Sequence, residues 1–154
     1  VPLLVGSMLI APTSFYAKDQ GFRELVAFQD LGFVLPSGGI VARDETLRSE
    51  PVTAERFVRA TIMGFLFMRD NRPGTLKVMS RMLRIDESTA GKLYDSSRPT
   101  LTNDGTVTGE SEKKMTGMVL KIAGVKEAPP TDKLYDFSLV KKAHAALQAK
   151  GWRP

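Results

Sequence analysis

Residues 3–11 of this chain, LLVGSMLIA, form a continuous apolar run without a single charge, closed by Pro12. A run of that length and character suits a strand buried on both faces, and hence a parallel sheet covered by helices. It is too short for a membrane span, which needs roughly 18–20 apolar residues. It also lacks the basic flank and small-residue cleavage site of a secretory signal. Beyond Pro12, Thr13 or Ser14 can N-cap a short helix over residues 15–20, which Gly21 stops. RELVAFQ, residues 23–29, reads as a second strand, so strand, helix and strand form a brief βαβ unit. LGFVLPSGG then breaks the pattern, and residues 40–43 read as a third short strand.

From there the periodicity turns helical. Val52 and Phe57 flank Thr53 at the spacing of a hydrophobic staple, which makes Thr53 the expected N-cap. The helix after it carries Phe57, Val58, Thr61, Ile62, Phe65, Leu66 and Met68 as a broad apolar stripe. DNRPG interrupts, and Leu76, Val78, Met79, Met82 and Leu83 mark a second helix. Asp86 caps a third, with Leu93 and Tyr94 pointing inward. Asn103-Asp104-Gly105 is a turn signal within an extended stretch. Met115, Met118, Val119 and Ile122 mark a fourth helix, ended by Gly124. KEAPPTDK reads as a linker, and Asp136 caps a last helix, with Tyr135 and Val140 at staple spacing. The expected class is α/β, a few strands followed by several C-terminal helices.

Composition narrows the chemistry. The chain has 154 residues, one His and no Cys, so disulfides and thiolate metal sites are excluded and the common nucleophile–base pairs nearly so. His144 lies on a terminal helix with no carboxylate at metal spacing and reads as a structural or solvated side chain. Gly38-Gly39 is not a phosphate loop, since no Lys follows and no helix starts directly after it. Asp44 and Glu45 read as carboxylates of a helix's first turn, and the seven Met residues as core filler. No cofactor, no metal and no catalytic residue is expected. The formal charge of +5 permits an anionic partner. The basic residues nevertheless read as dispersed: Arg56 and Arg59 accompany Glu55, Lys113 and Lys114 follow Glu112, and Lys141 and Lys142 stand alone. No aromatic–basic interleaving suggests a nucleic-acid partner.

One junction has binding character. At APTSF, residues 11–15, a buried strand runs out and a helix begins on hydroxyl residues. Ligands of open parallel sheets sit beyond the carboxyl ends of the strands, where a helix start offers free N–H groups to an anion. Thr13 and Ser14 either donate hydroxyls there or simply cap their own helix, and Phe15 or Tyr16 adds an aromatic wall.

The order of segments carries a resemblance. GSMLIAPTSFYAKDQGFRELVAFQD, then GGIVARDETLRSEP, AERFVRATIMGFLFMRDNRPGTLKVMSRMLRID, YDSSRPTLTNDGTV and YDFSLVKKA together resemble the C-terminal half of a periplasmic solute-binding protein. The group is the nitrate/sulfonate/taurine family of ABC importers, which includes binders of thiamine-pyrimidine precursors. The resemblance implies a portion of a two-lobed type II binding fold. Residues 1–30 would end the second lobe, 31–38 would be the hinge crossing, and 39–154 would return to the first lobe and the C-terminal helices. It also places Val1 about midway through a larger protein whose first half, signal peptide included, precedes it.

What the resemblance implies for function is capture of a small polar or anionic organic solute in a cleft between lobes, without chemistry, for delivery to a membrane permease. The ligand-binding residues carried over are Ala11, Pro12, Thr13, Ser14 and Phe15 on the loop after the first strand, with Ser37 and Gly38 at the hinge. The setting would be periplasmic or lipid-anchored outside the cytoplasm. Either the missing half or a second copy would cover the exposed first strand, giving a homodimer in the latter case. Two alternatives stand beside this. One is a truncated paralogue acting as an oligomeric interaction module. The other, an enzyme resembling the thiamine-pyrimidine synthases, relies on an active-site His and a Cys-rich motif that this chain does not reproduce.

Overall fold

The computed structural model describes residues 6–27, 30, 38–125 and 127–154. Among them the secondary structure is helical and no strand occurs, so the expected α/β class, and with it the expected portion of a two-lobed type II binding fold, is corrected to an all-helical one. The helices are α1 (Thr13–Asp19), α2 (Asp44–Ser49), α3 (Pro51–Asp70), α4 (Arg72–Leu83), α5 (Glu87–Ser97), α6 (Gly109–Ala123), α7 (Thr131–Leu134) and α8 (Ser138–Ala149), with a 3₁₀ turn at Arg98–Thr100.

Each expected strand is corrected in turn. Of residues 3–11, 3–5 lie outside the described residues, while 6–10 are irregular and exposed, Ile10 at 83%. Of residues 23–29, 28 and 29 lie outside, and 22–27 are likewise irregular, with Phe22 71% exposed. Residues 40–43 form no element, and Val41 is 96% exposed. The reason is the backbone. A strand satisfies its N–H and C=O groups only through neighbours, and a parallel sheet covered on both faces needs several of them. Three short candidates, one opening on the charged Arg23 and Glu24, do not supply that ladder, whereas a helix satisfies its own interior groups.

The chain divides into two compact units. The first comprises Val1–Phe33 and Pro73–Pro99. Its core joins α4 to α5 through Leu76, Ala90 and Tyr94, with Met79 and Ile85 packed against them. Asp86 is the N-cap of α5, as its sequence suggests: its carboxylate accepts from the Thr89 N–H at 2.9 Å and from the Thr89 hydroxyl at 2.7 Å. Tyr94 is buried as expected, while Leu93 is half-buried. In the same unit α1 is followed by Gly21 at φ +85°, a left-handed position that ends the helix, and Lys18 pairs with Glu24 across that turn.

The second unit comprises Val34–Arg72 and Thr100–Pro154. Here α3 packs along α8 and α2 sits beside α3. Ile62, Ala143 and Leu147 form the core, with Val58, Met63, Leu66, Val140 and Trp152 around them. Val58, Ile62 and Leu66 recur every four residues, and Val140, Ala143 and Leu147 at three and four, so one narrow face of each helix meets the other. The wider stripe expected on α3 contracts accordingly: Phe57, Thr61 and Met68 are exposed. Thr53 is not the N-cap, because α3 begins two residues earlier with Pro51 at its first position and Glu50 as N-cap. Proline fits that first turn because the missing N–H has no intrahelical partner there.

The other helix boundaries follow local chemistry. Thr108 caps α6 by accepting from the Ser111 N–H at 3.3 Å, and Gly124 ends it at φ +67°. Asp136 accepts from the Ser138 N–H at 2.8 Å and so opens α8 from one residue before its N-cap, Phe137. That bond holds the Asp136 carboxyl below its ordinary range.

Candidate functional site

The corner at residues 11–15 lies wholly within the described residues, and its geometry differs from the sequence expectation. Pro12, after a cis Ala11–Pro12 bond, is the N-cap of α1, and it offers no side-chain cap. Neither Thr13 nor Ser14 therefore holds the N-cap position; both lie in the first turn, with Thr13 exposed and Ser14 and Phe15 half-buried. Backbone bonds close the corner: the Ser14 N–H reaches the Ile10 carbonyl at 3.2 Å, and the Phe15 and Tyr16 N–H groups reach the Pro12 carbonyl at 2.9 and 3.3 Å. With those amides committed and only seven residues in α1, what the corner offers a ligand is the Thr13 and Ser14 hydroxyls, with Phe15 next along the same turn. Ala11 and Pro12 are half-buried at its base.

Of the two hinge residues, Ser37 lies outside the described residues and Gly38 is exposed, with open space where a Cβ would stand. The other residues of the expected hinge crossing, 31–36, are also outside the described residues.

Two polar arrangements in the second unit were not anticipated. The turn flagged by Asn103-Asp104-Gly105 is seated on the α3–α8 pair. Arg69 donates to the Asn103 carbonyl and pairs with Asp70, its Nε meeting Asp70 Oδ1 at 2.7 Å. That pairing with Asp70 raises the Arg69 pKa. His144 Nε2 lies 2.8 Å from the Asp104 carbonyl oxygen, which can only accept, so Nε2 carries the proton. The Asp104 carboxylate accepts from the Thr106 hydroxyl at 2.7 Å and the Thr106 N–H at 2.9 Å. The Thr106 hydroxyl bond is the main cause holding the Asp104 carboxyl below its usual range. The role of His144 is thus to join a turn to a helix.

The second arrangement is a shallow cleft of about 100 Å³ lined by Glu55, Arg59, Leu139, Lys142, Ala143 and Ala146. Lys142 pairs with Glu55 across it. The i,i+4 placement of Glu55 and Arg59 beside Val58 was the available signal in the sequence; the register of α8 that brings Lys142 opposite was not readable from it.

Among the described residues no group of His, Asp and Glu side chains is placed to hold a metal ion. No helix among them is long and apolar enough to cross a membrane. Compared with protein-family models, curated proteins and solved structures, the chain matches none.

Proposed function

We propose that this chain belongs to the solute-capture component of an ABC importer, binding a small polar or anionic organic molecule without chemistry and presenting it to a membrane permease outside the cytoplasm. The structural observation that supports this reading is the corner at residues 11–15. Its two hydroxyls, Thr13 and Ser14, leave the N-cap position to Pro12, and Phe15 follows them on the same turn. Two hydroxyl donors with an aromatic side chain on the same turn suit the oxygen-rich head group and short carbon skeleton of such a solute. The order of segments across nearly the whole sequence supports it as well.

The surroundings of the corner fit the same reading. Met8, Ile10, Phe22, Leu25 and Val26, on either side of α1, expose large apolar surfaces. Further polypeptide or a second copy seated there would bury them and close the site over its ligand. Solute binding is tested by calorimetry on the protein as its gene encodes it, against nitrate, taurine, longer sulfonates, aromatic carboxylates and aminopyrimidines. Saturable one-to-one binding of one class supports the proposal, and absence of heat across the whole panel contradicts it.

A further inference from the structure

The positive charge of this chain is not spread evenly. Residues 71–85 and 137–154 each hold four cations and no acid, while the rest of the chain carries fourteen cations against seventeen acids. In the second of these segments Lys142 is already bound to Glu55. The first segment is α4 with its flanks, and three of its cations, Lys77, Arg81 and Arg84, are differently placed.

The inner face of α4 is occupied: Thr75 and Leu76 are buried, and Leu76 and Met79 pack with Ala90 and Tyr94 of α5. The outward side holds two rails. Lys77 and Arg81, one turn apart, continue to Arg84 just past the helix end, and all three are exposed. Val78 and Met82, also one turn apart, run beside them, and Met82 is 71% exposed. Among the described residues no ion pair reaches Lys77, Arg81 or Arg84. The acids nearest in sequence are committed elsewhere, Asp70 to Arg69 and Asp86 to Thr89.

We infer that the outward face of α4 is a docking surface for a helix of another protein, one that carries an apolar seam flanked by carboxylates. The charge argument requires a partner that supplies the missing negative groups. The apolar rail, in step with the cations at one-turn spacing, makes that partner a helix, because an apolar seam with a charged flank is how helices select one another. Val78 and Met82 alone are too small an apolar area to seat α4 in a lipid surface, and the face has no aromatic side chain on which a nucleic-acid base could stack.

The test uses fluorescence anisotropy with two labelled helical peptides, each with leucine along its seam, one flanked by glutamate and the other by lysine. The glutamate peptide is expected to bind saturably and to weaken with added salt. Arg81→Glu should weaken it by about tenfold, and Lys77→Glu/Arg81→Glu should transfer binding to the lysine peptide. Both substitutions are on an exposed helix face, so circular dichroism should remain that of the parent. Equal binding of the two peptides, failure of the glutamate peptide to bind, or indifference to Arg81→Glu would overturn the inference. Sedimentation with phosphatidylglycerol vesicles without peptide binding would overturn it too, and would identify the face as lipid-binding instead.

Discussion

His144 Nε2 donates to the carbonyl oxygen of Asp104 at 2.8 Å across 40 residues of sequence, fastening the turn after α5 to the last helix. The bond is long-range, so its loss should loosen the second unit as a whole. The predicted cost of His144→Ala is about 1 kcal/mol, the usual net worth of one such bond. Trp152 packs against the α3–α8 core, so urea unfolding followed by its fluorescence reads this unit. An unchanged midpoint would show that the bond carries no stability.

Gly105 makes a sharper case. It sits at φ +78°, and a Cβ there would stand 3.0 Å from Ile62 Cδ1, a buried atom of the core. Gly105→Ala therefore meets backbone strain and crowding together, and should destabilise by about 2 kcal/mol. Gly109→Ala, at the first position of α6 with open space around it, should leave the same unfolding midpoint in place or raise it. Equal effects of the two substitutions would refute the packing of the turn on Ile62.

Acid should destabilise the chain through its hydrogen-bonded and ion-paired carboxylates. The carboxyls of Asp86, Asp104, Glu110 and Asp136 are all held below their ordinary values, by Thr89, Thr106, Lys114 and Ser138 respectively. In each case the unfolded chain binds the proton more readily, so their stabilisation is fully present above the ordinary carboxylate pKa of about 4 and fades as pH falls below it. Thermal midpoints should hold steady from neutral pH to that range and decline beneath it. Asp86→Asn should flatten the decline; an acid limb identical to the parent's would remove Asp86 from this account.

The core contact between α3 and α8 gives a fourth expectation. Leu147 is 5% exposed and shares a core cluster with Ile62 and Ala143, so Leu147→Ala should cost about 3 kcal/mol through lost burial and the cavity left behind. Met118→Ala on α6, where the side chain is exposed, should change stability little. A comparable loss at both positions would mean that α6 is also packed in solution.

Much of the helical half was legible because its signals are local. Asp86 caps by a bond three residues long, Gly124 ends α6 through its own φ, and the four-residue recurrence of Val58, Ile62 and Leu66 belongs to one helix. The absence of strands among the described residues was not legible, because an apolar run states what a segment would bury and not whether neighbours exist to pair with it. Residues 6–10 have the character of a central strand and no ladder to join. The helix starts before Thr53 because Pro51 is a stronger start signal than the staple spacing of Val52 and Phe57. At the candidate site, the junction of hydroxyls and aromatic was readable, whereas the capping role of Pro12 depends on backbone angles that the residue types do not dictate. The acid-free segment around α4 shows only in a count along the whole segment, because the charges of immediate neighbours do not reveal it.

The measurement closest to the central claim is the affinity of the Thr13→Ala/Ser14→Ala protein for the solute that the parent binds. If these hydroxyls hold the ligand, the dissociation constant should rise by about tenfold or more, with thermal stability unchanged because neither residue is the N-cap of α1. An affinity equal to the parent's would contradict the assignment of the corner as the solute site.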